Sequence, residues 1–334
     1  MKLKCIFGGI AALFVFAAAV AAQTTAYRIS APYSHKNLTI YLIHGKDGTN
    51  KTNILTLQEA MQRQILRVYE TSDVNELSVE NISKQFDVFI QSGDIVKGGK
   101  QDRVLSVSII VPARSGRIKI EAFCVESGRW QKRGSEDSSQ FSSSNDRIVS
   151  KELKLAANGA RSQQEVWAKV SEAQEKLSSN VGSSVQSGPS RSSLQLSLEN
   201  GRVAATAEEY VNKLSRLIAG KPDVIGYAFA VNGQINSADV YVSNDLFKKL
   251  WTRMLKAAAV EAVAEHNSFA SGATPARPDA VKAFLTDADR GRPEERAASG
   301  GTMIVTRDLE NSAVYEARDD KSKTVVHRAY VRKQ

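Results

Sequence analysis

Residues 224–243 read VIGYAFAVNGQINSADVYVS. Two runs rich in Val, Ile, Tyr and Phe flank the pair Asn232-Gly233. Asn and Gly both tolerate positive φ, and a two-residue turn with positive φ at both positions has the twist that hairpin strands need. The stretch predicts an antiparallel hairpin with Asn232-Gly233 at its tip. Helical patterns lie on both sides. Thr206 and Glu209 form a capping box before AEEYVNKLSRLIAG, with Gly220 as the stop. Asn244 is the expected cap of DLFKKLWTRMLKAAAVEAVAEH, with Leu246, Leu250, Met254, Ala258 and Ala262 along one side. Residues 201–266 thus read as helix, hairpin, helix.

Upstream, SQQEVWAKVSEAQEKL (162–177) is an amphipathic helix with a Ser162/Glu165 capping box and a stripe of Val166, Val170, Ala173 and Leu177. Residues 178–200 read as a flexible loop, and GSEDSSQFSSSND (134–146) as a Ser-rich loop. Residues 37–130 carry a series of β signals: NLTIYLIHG, ILRVYE, ELSVENI, FDVFIQ, RVLSVSIIV and IKIEAFCVE. One short helix, TLQEAMQRQIL (56–66), interrupts them with a Thr56/Glu59 capping box. PARSG (112–116) is a Pro/Gly turn, so the last two runs should pair as a hairpin. Counting back from that turn puts Arg103 opposite Val125 or Glu126, to within a residue or two. The fold class is α+β: a mainly antiparallel, β-rich module with a few packed amphipathic helices.

The first 22 residues read as a signal peptide. Lys2 and Lys4 precede the apolar core IFGGIAALFVFAAAV, and Ala19-Val20-Ala21 suits cleavage after Ala21 or Ala22. The expectation is an exported protein, periplasmic or extracellular, with no membrane span after the leader is removed. Cys5 leaves with the leader, so Cys124 is the only cysteine of the mature chain and no internal disulfide can form. Cys124 sits in a predicted strand and reads as a core residue.

The net charge of +9 is spread along the chain without interleaved aromatics. That excludes a nucleic-acid reader of the usual composition. His35, His44, His266 and His327 make no metal-ligand spacing, so no metal and no cofactor are expected. No G-x-S-x-G elbow is present.

SGDIVKGGKQDR (92–103) sets Gly98-Gly99 among Lys97, Lys100 and Arg103. It is not a Walker A loop. Five residues separate Gly93 from Gly99 where the motif has four, no hydroxyl follows Lys100, and the run leads into a strand. Two readings stand. Backbone amides at the glycines form an anion-binding nest, with Lys100, Gln101 and Arg103 as side-chain contacts. Alternatively, the loop is a β-bulge or basic turn. Glu126 and Arg129 flank Ser127-Gly128 and should join Arg103 at the same sheet end. There Glu126 is either a general base in an anion-binding cleft or part of a salt-bridge network. Trp130 reads as a core residue, with a stacking platform as the alternative.

GGKQDR, CVESGRW and EVW, in that order, resemble the ARG and Rhodanese-Phosphatase-superfamily-associated Protein family, where ARG denotes ADP-ribosylglycohydrolase. The likeness spans residues 33–262 and leaves 263–334 as a C-terminal extension dispensable to the fold. Within that extension one short helix and the strands GTMIVTRDL and TVVHRAYVRK are expected. The resemblance implies a β-rich α+β module linked to ADP-ribose and phosphate chemistry, with no catalytic residue to carry over. Three functions follow as expectations. The first is a binding module for a small anionic ligand, nucleotide- or ADP-ribose-like, through Gly98, Gly99, Lys100, Gln101, Arg103 and Arg129. The second is a hydrolase of such a ligand with Glu126 as base. The third is an envelope interaction protein.

Overall fold

The computed structural model describes residues 27–48, 53–71, 73–134, 139–148, 150–267 and 273–333. The expected leader lies outside these. The strands begin with β1 (Arg28–Ile29), β2 (Tyr33–His35), β3 (Leu38–His44), β4 (Ile54–Thr56), β5 (Leu66–Glu70) and β6 (Glu76–Asn81). They continue with β7 (Asp87–Ile90), β8 (Asp94–Gly98), β9 (Arg103–Leu105), β10 (Ile109–Val111), β11 (Gly116–Cys124) and β12 (Phe141–Arg147). The later strands are β13 (Val224–Val231), β14 (Gln234–Tyr241), β15 (Pro293–Ala298), β16 (Thr302–Asp308), β17 (Ser312–Asp319) and β18 (Val325–Arg332). The helices are α1 (Leu57–Gln62), α2 (Lys151–Leu155), α3 (Gln163–Val181), α4 (Leu194–Leu198), α5 (Gly201–Leu214), α6 (Asn244–Ala264) and α7 (Pro278–Ala288). The class is α+β, as expected.

Asn232 (φ 52°) and Gly233 (φ 78°) both occupy the left-handed region, and β13 pairs antiparallel with β14 across them. This hairpin is the centre of a nine-stranded sheet ordered β1-β3-β13-β14-β18-β17-β16-β15, with β2 also on β3. Side chains alternate across it. Leu38, Ile40, Leu42, Phe229 and Val231 pack under α3, α5 and α6 in one core. Tyr41, Ile43, Ala228, Ala230 and Tyr330 turn to the other face, where α7 supplies Val281 and Leu285. Burial on both faces explains why β3 and β13 read as near-continuous apolar runs.

The tail expected to be an extension completes this sheet. β14 pairs with β18 over Ser237↔Val331 to Tyr241↔His327, and β17, β16 and β15 follow outward. β15 and β17 carry no alternation strong enough to have been read as strands in advance.

The β-rich region forms two smaller sheets, β12-β8-β9-β11-β6-β5 and β10-β7-β4. β4 and β7 run parallel. The hairpin expected through PARSG opens at its tip. β9 pairs with β11, but the chain then leaves the sheet and β10 pairs with β7 instead. The other edge of β11 is paired by β6 over Gly116–Glu121. The Ser-rich run is also partly a strand: β12 holds Phe141–Arg147 against β8. Residues 178–193 contain the end of α3 and an ordered turn, tied down by Gln174 Nε2 bonds to Arg191 O (3.0 Å) and Ser197 Oγ (2.8 Å).

Caps explain the helix starts. The Thr56/Glu59 box is complete, and Ser162 Oγ accepts from Glu165 N–H. α5 begins five residues before Thr206, because Asn200 Oδ1 accepts from Arg202 and Val203 N–H. Thr206 instead donates to Arg202 O inside the helix. Ser243, not Asn244, caps α6; the Asn244 amide is committed to Lys221 O and Val224 O. Among the described residues no helix is long and apolar enough to cross a membrane.

Candidate functional site

The two polar motifs converge. Arg103 opens β9 opposite Cys124, one residue from the expected register, and Val125 N–H donates to Asp102 O (3.1 Å). That places Gln101 beside Glu126, whose carbonyl accepts from Gln101 Nε2 (3.0 Å). The Glu126 carboxylate takes a short bond from Arg129 Nε and longer ones from Arg133 Nη1 and Ser190 Oγ, both at 3.4 Å. Asp102 takes Arg133 Nη1 (2.9 Å), Gly98 N–H (3.1 Å) and Ser193 Oγ (3.3 Å). Arg103 donates to Glu70 Oε1 (3.2 Å) and Val74 O (2.7 Å).

Asp102, Arg103 and Glu126 are fully buried, so they present no face to a ligand. The loop amides are engaged too. Gly98 N–H meets Asp102, Gly99 N–H meets Gln140 O (3.2 Å), and Lys100 N–H points at Glu70. The glycine at 99 has a packing reason. Its φ is 58°, and a Cβ there would lie 2.3 Å from Phe141 Cζ. Phe141 of β12 seats its ring where that side chain would be.

Burial raises the pKa of Glu126; the bond from Arg129 opposes this and the Asp102 charge adds to it. A carboxylate whose oxygens are already bound by Arg129, Arg133 and Ser190 has no free lone pair aimed at a substrate. Burial likewise pushes the Cys124 thiol up to about 11, with Arg103 opposing, as suits an inert core cysteine. Trp130 departs from the core reading. It is 43% exposed and lies over Lys100 Nζ (5.1 Å to the ring centroid) and Arg103 Cζ (5.4 Å). It roofs the cations rather than filling the core.

An open site lies elsewhere. A cleft of about 790 Å³ is walled by the Ser106–Ser108 segment between β9 and β10, by α2 and the N-terminal turns of α3, and by β15–β18. The tail therefore builds one whole wall. Its cations are already engaged: Arg296 with Glu121 (2.7 Å), Arg161 with Glu121 (3.1 Å), Lys169 with Glu172 (2.8 Å) and Lys333 with Asp308 (2.5 Å). Among the described residues Glu152, Glu165 and Glu294 on the same walls have no ion-pair partner. Glu165 thus serves two ends, its N–H in the α3 cap and its carboxylate at the cleft.

At the back of the cleft, Ser108 Oγ lies 3.0 Å from His327 Nδ1, and His327 Nε2 lies 2.9 Å from Asp239 Oδ1. All three residues are buried, and Ser108 lines the cleft. The sheet fixes the last two. Tyr241 stands opposite His327 across β14 and β18, and Asp239, two residues before Tyr241, shares its face. Gln91 Nε2 closes the set with bonds to Tyr241 Oη (2.8 Å) and Asp239 Oδ1 (3.4 Å). Burial would raise the Asp239 pKa, but the bond and charge of His327, with Lys154 and Arg147, hold it below the usual value. None of Ser108, Asp239 and His327 was flagged as a site residue by spacing. The available signal was a polar residue inside an apolar strand, in SADVYV and VVHRAYV.

Fold and cleft define a single α+β protein in which the C-terminal strands are integral. Residues 26–331 match the ARPP-1 domain, the ARG and Rhodanese-Phosphatase-superfamily-associated Protein domain, and the chain belongs to that family. The match includes residues 263–331, which the motif resemblance had left out. No curated protein and no solved structure matches the chain.

Proposed function

We propose that the protein is an exported binding module for a small polar molecule, and that the ligand occupies the cleft between α2, α3 and β15–β18. Export rests on the leader-like N-terminal sequence. The observation that carries the binding reading is the cleft itself. Its volume of about 790 Å³ lies within the range of small-molecule sites, roughly 300–1,000 Å³.

The charge pattern bears on the ligand. An anion would have to displace carboxylates from Arg161, Lys169, Arg296 or Lys333. A ligand bearing an amine or guanidine meets Glu152, Glu165 and Glu294 without displacing anything. The ligand class is therefore a small cation-bearing polar molecule. The nucleotide- or ADP-ribose-like ligand implied by the family's name is the second reading, supported by the four cations of the same walls.

A thermal-shift panel on the mature chain tests this, with agmatine, spermidine and arginine in one arm and phosphate, AMP, ADP-ribose and NAD in the other. A ligand at 100 times its Kd adds about 2.7 kcal/mol to stability, which is readily seen. Glu165→Gln with Glu294→Gln should remove a cation's shift. A shift from phosphate compounds alone would transfer the reading to the second ligand class. Silence from both arms would remove the binding function.

A further inference from the structure

The geometry points to Ser108 as a nucleophile, with His327 as its base and Asp239 as the residue that positions the base, for hydrolysis of a small cation-bearing carboxylic ester in the cleft. This rests on the cleft being the ligand site.

The proton positions follow from which groups can donate. An ionised Asp239 only accepts, so the 2.9 Å contact requires the proton on His327 Nε2. Neutral imidazole then has a bare lone pair on Nδ1. Ser92 N–H donates to Ser108 Oγ (3.0 Å), so the Ser108 oxygen already accepts there. Its own hydrogen is left for Nδ1, 3.0 Å away. The serine is thus oriented to lose its proton to His327. Relays of this kind are recognised by geometry and role rather than sequence position; here Nδ1 faces the serine and Nε2 the carboxylate. The ring is also held in plane. Tyr241 stacks on it at 4.9 Å between centroids with 24° between planes, and Phe89 meets it edge-on at 5.8 Å.

The reaction balances with water as the only co-reactant. Ser108 Oγ adds to the ester carbonyl carbon as its proton passes to His327 Nδ1, and Asp239 steadies the imidazolium. The carbon–oxygen bond to the alcohol breaks, and His327 returns the proton to the departing oxygen. Water then attacks the acyl-Ser108 ester, giving one proton to His327. That proton returns to Ser108 Oγ as the acid leaves. No metal or redox group enters this scheme. The unpaired carboxylates of the walls select for a positive charge elsewhere on the substrate.

The test uses the mature chain and a fluorophosphonate probe, followed by peptide mass analysis, with turnover of Nα-acetyl-arginine methyl ester and Nα-acetyl-norleucine methyl ester. Covalent labelling at Ser108 is expected, together with at least a tenfold higher kcat/KM for the arginine ester. Ser108→Ala should abolish labelling and turnover while melting within a few degrees of wild type and keeping any cation-induced thermal shift. Asp239→Asn should lower kcat by about 10³-fold or more with little change in KM, since the ring would hold the wrong tautomer. A merely structural Asp239 would not give that split. Labelling at another serine, or no labelling and no turnover in a wild-type chain that still binds an amine, overturns the assignment and leaves the binding reading intact. Labelling at Ser108 with no shift from any panel ligand supports the relay and removes the ligand class.

Discussion

Tyr241 stands directly opposite His327 in the β14–β18 ladder, and the two rings stack at 4.9 Å. One residue belongs to the central hairpin and the other to the C-terminal strand. The contact couples the best-specified element of the fold to the segment whose role was least legible. It also sets the angle from which His327 reaches both Ser108 and Asp239.

Removal of residues 267–334 should therefore not leave a folded remainder. Without β18 the long edge of β14 would be exposed, a template for pairing with other chains. The truncated chain is expected to aggregate or to unfold without cooperativity, judged by size-exclusion chromatography and urea titration beside the untruncated chain. A monomer with a sharp urea transition would show that the β-rich region and the hairpin fold unaided.

Arg103→Ala should act on stability rather than on ligand binding. The substitution removes the buried Arg103 bonds to Glu70 and to Val74 O. Breaking a buried pair from one side typically costs about 3–5 kcal/mol. Urea unfolding should register a loss of that size, and any ligand-induced shift of the folded variant should persist. A loss under about 1 kcal/mol, together with a vanished shift, would return the ligand to the GGKQDR corner.

Gly99→Ala should cost about 2–5 kcal/mol, combining a left-handed backbone at a non-glycine residue with overpacking against Phe141. The two causes separate in a double-mutant cycle. Phe141→Leu removes the ring edge, so it should recover roughly 1–3 kcal/mol of the Gly99→Ala loss while leaving the backbone cost. Strict additivity in urea titrations would mean that the ring does not sit on this glycine.

What was legible in advance was local. Asn232-Gly233 fixes its turn through its own φ preferences, and Thr56 finds Glu59 three residues away. The register of Arg103 could be counted because β9 and β11 stay paired near the base of their hairpin. The misreadings involve distant partners. β12 is a strand because β8 binds it, against the preference of its serines. The RVLSVSIIV run divides between sheets because its start is held by β8 and β11 and its end by β7. The relay is the extreme case: Ser108 and His327 are 219 positions apart and Asp239 and His327 are 88 apart, so no spacing rule could join them. The polar corner was found, but its burial could not be read, since charge alone does not tell an open cluster from a closed one.

Glu261 is buried on α6, where its Oε1 accepts from Lys151 N–H (2.8 Å) and Asn236 Nδ2 (2.7 Å). Burial raises its pKa above the ordinary value; Lys154 and the Asn236 bond oppose this without cancelling it. The folded chain therefore holds this proton more tightly than the unfolded chain, whose Glu titrates near about 4.3. The stability this group contributes is fully present below that pH and is lost as pH rises through the raised folded value. Glu261→Gln keeps an oxygen for both donors and cannot ionise. The variant should match wild type in acid and gain on it steadily as the medium is taken from about pH 4 to neutral. Urea titrations of both proteins across that range read the difference directly. Parallel stability curves, or a variant that loses ground as pH rises, would mean that Glu261 is ionised at little cost and that Lys154 compensates it in full.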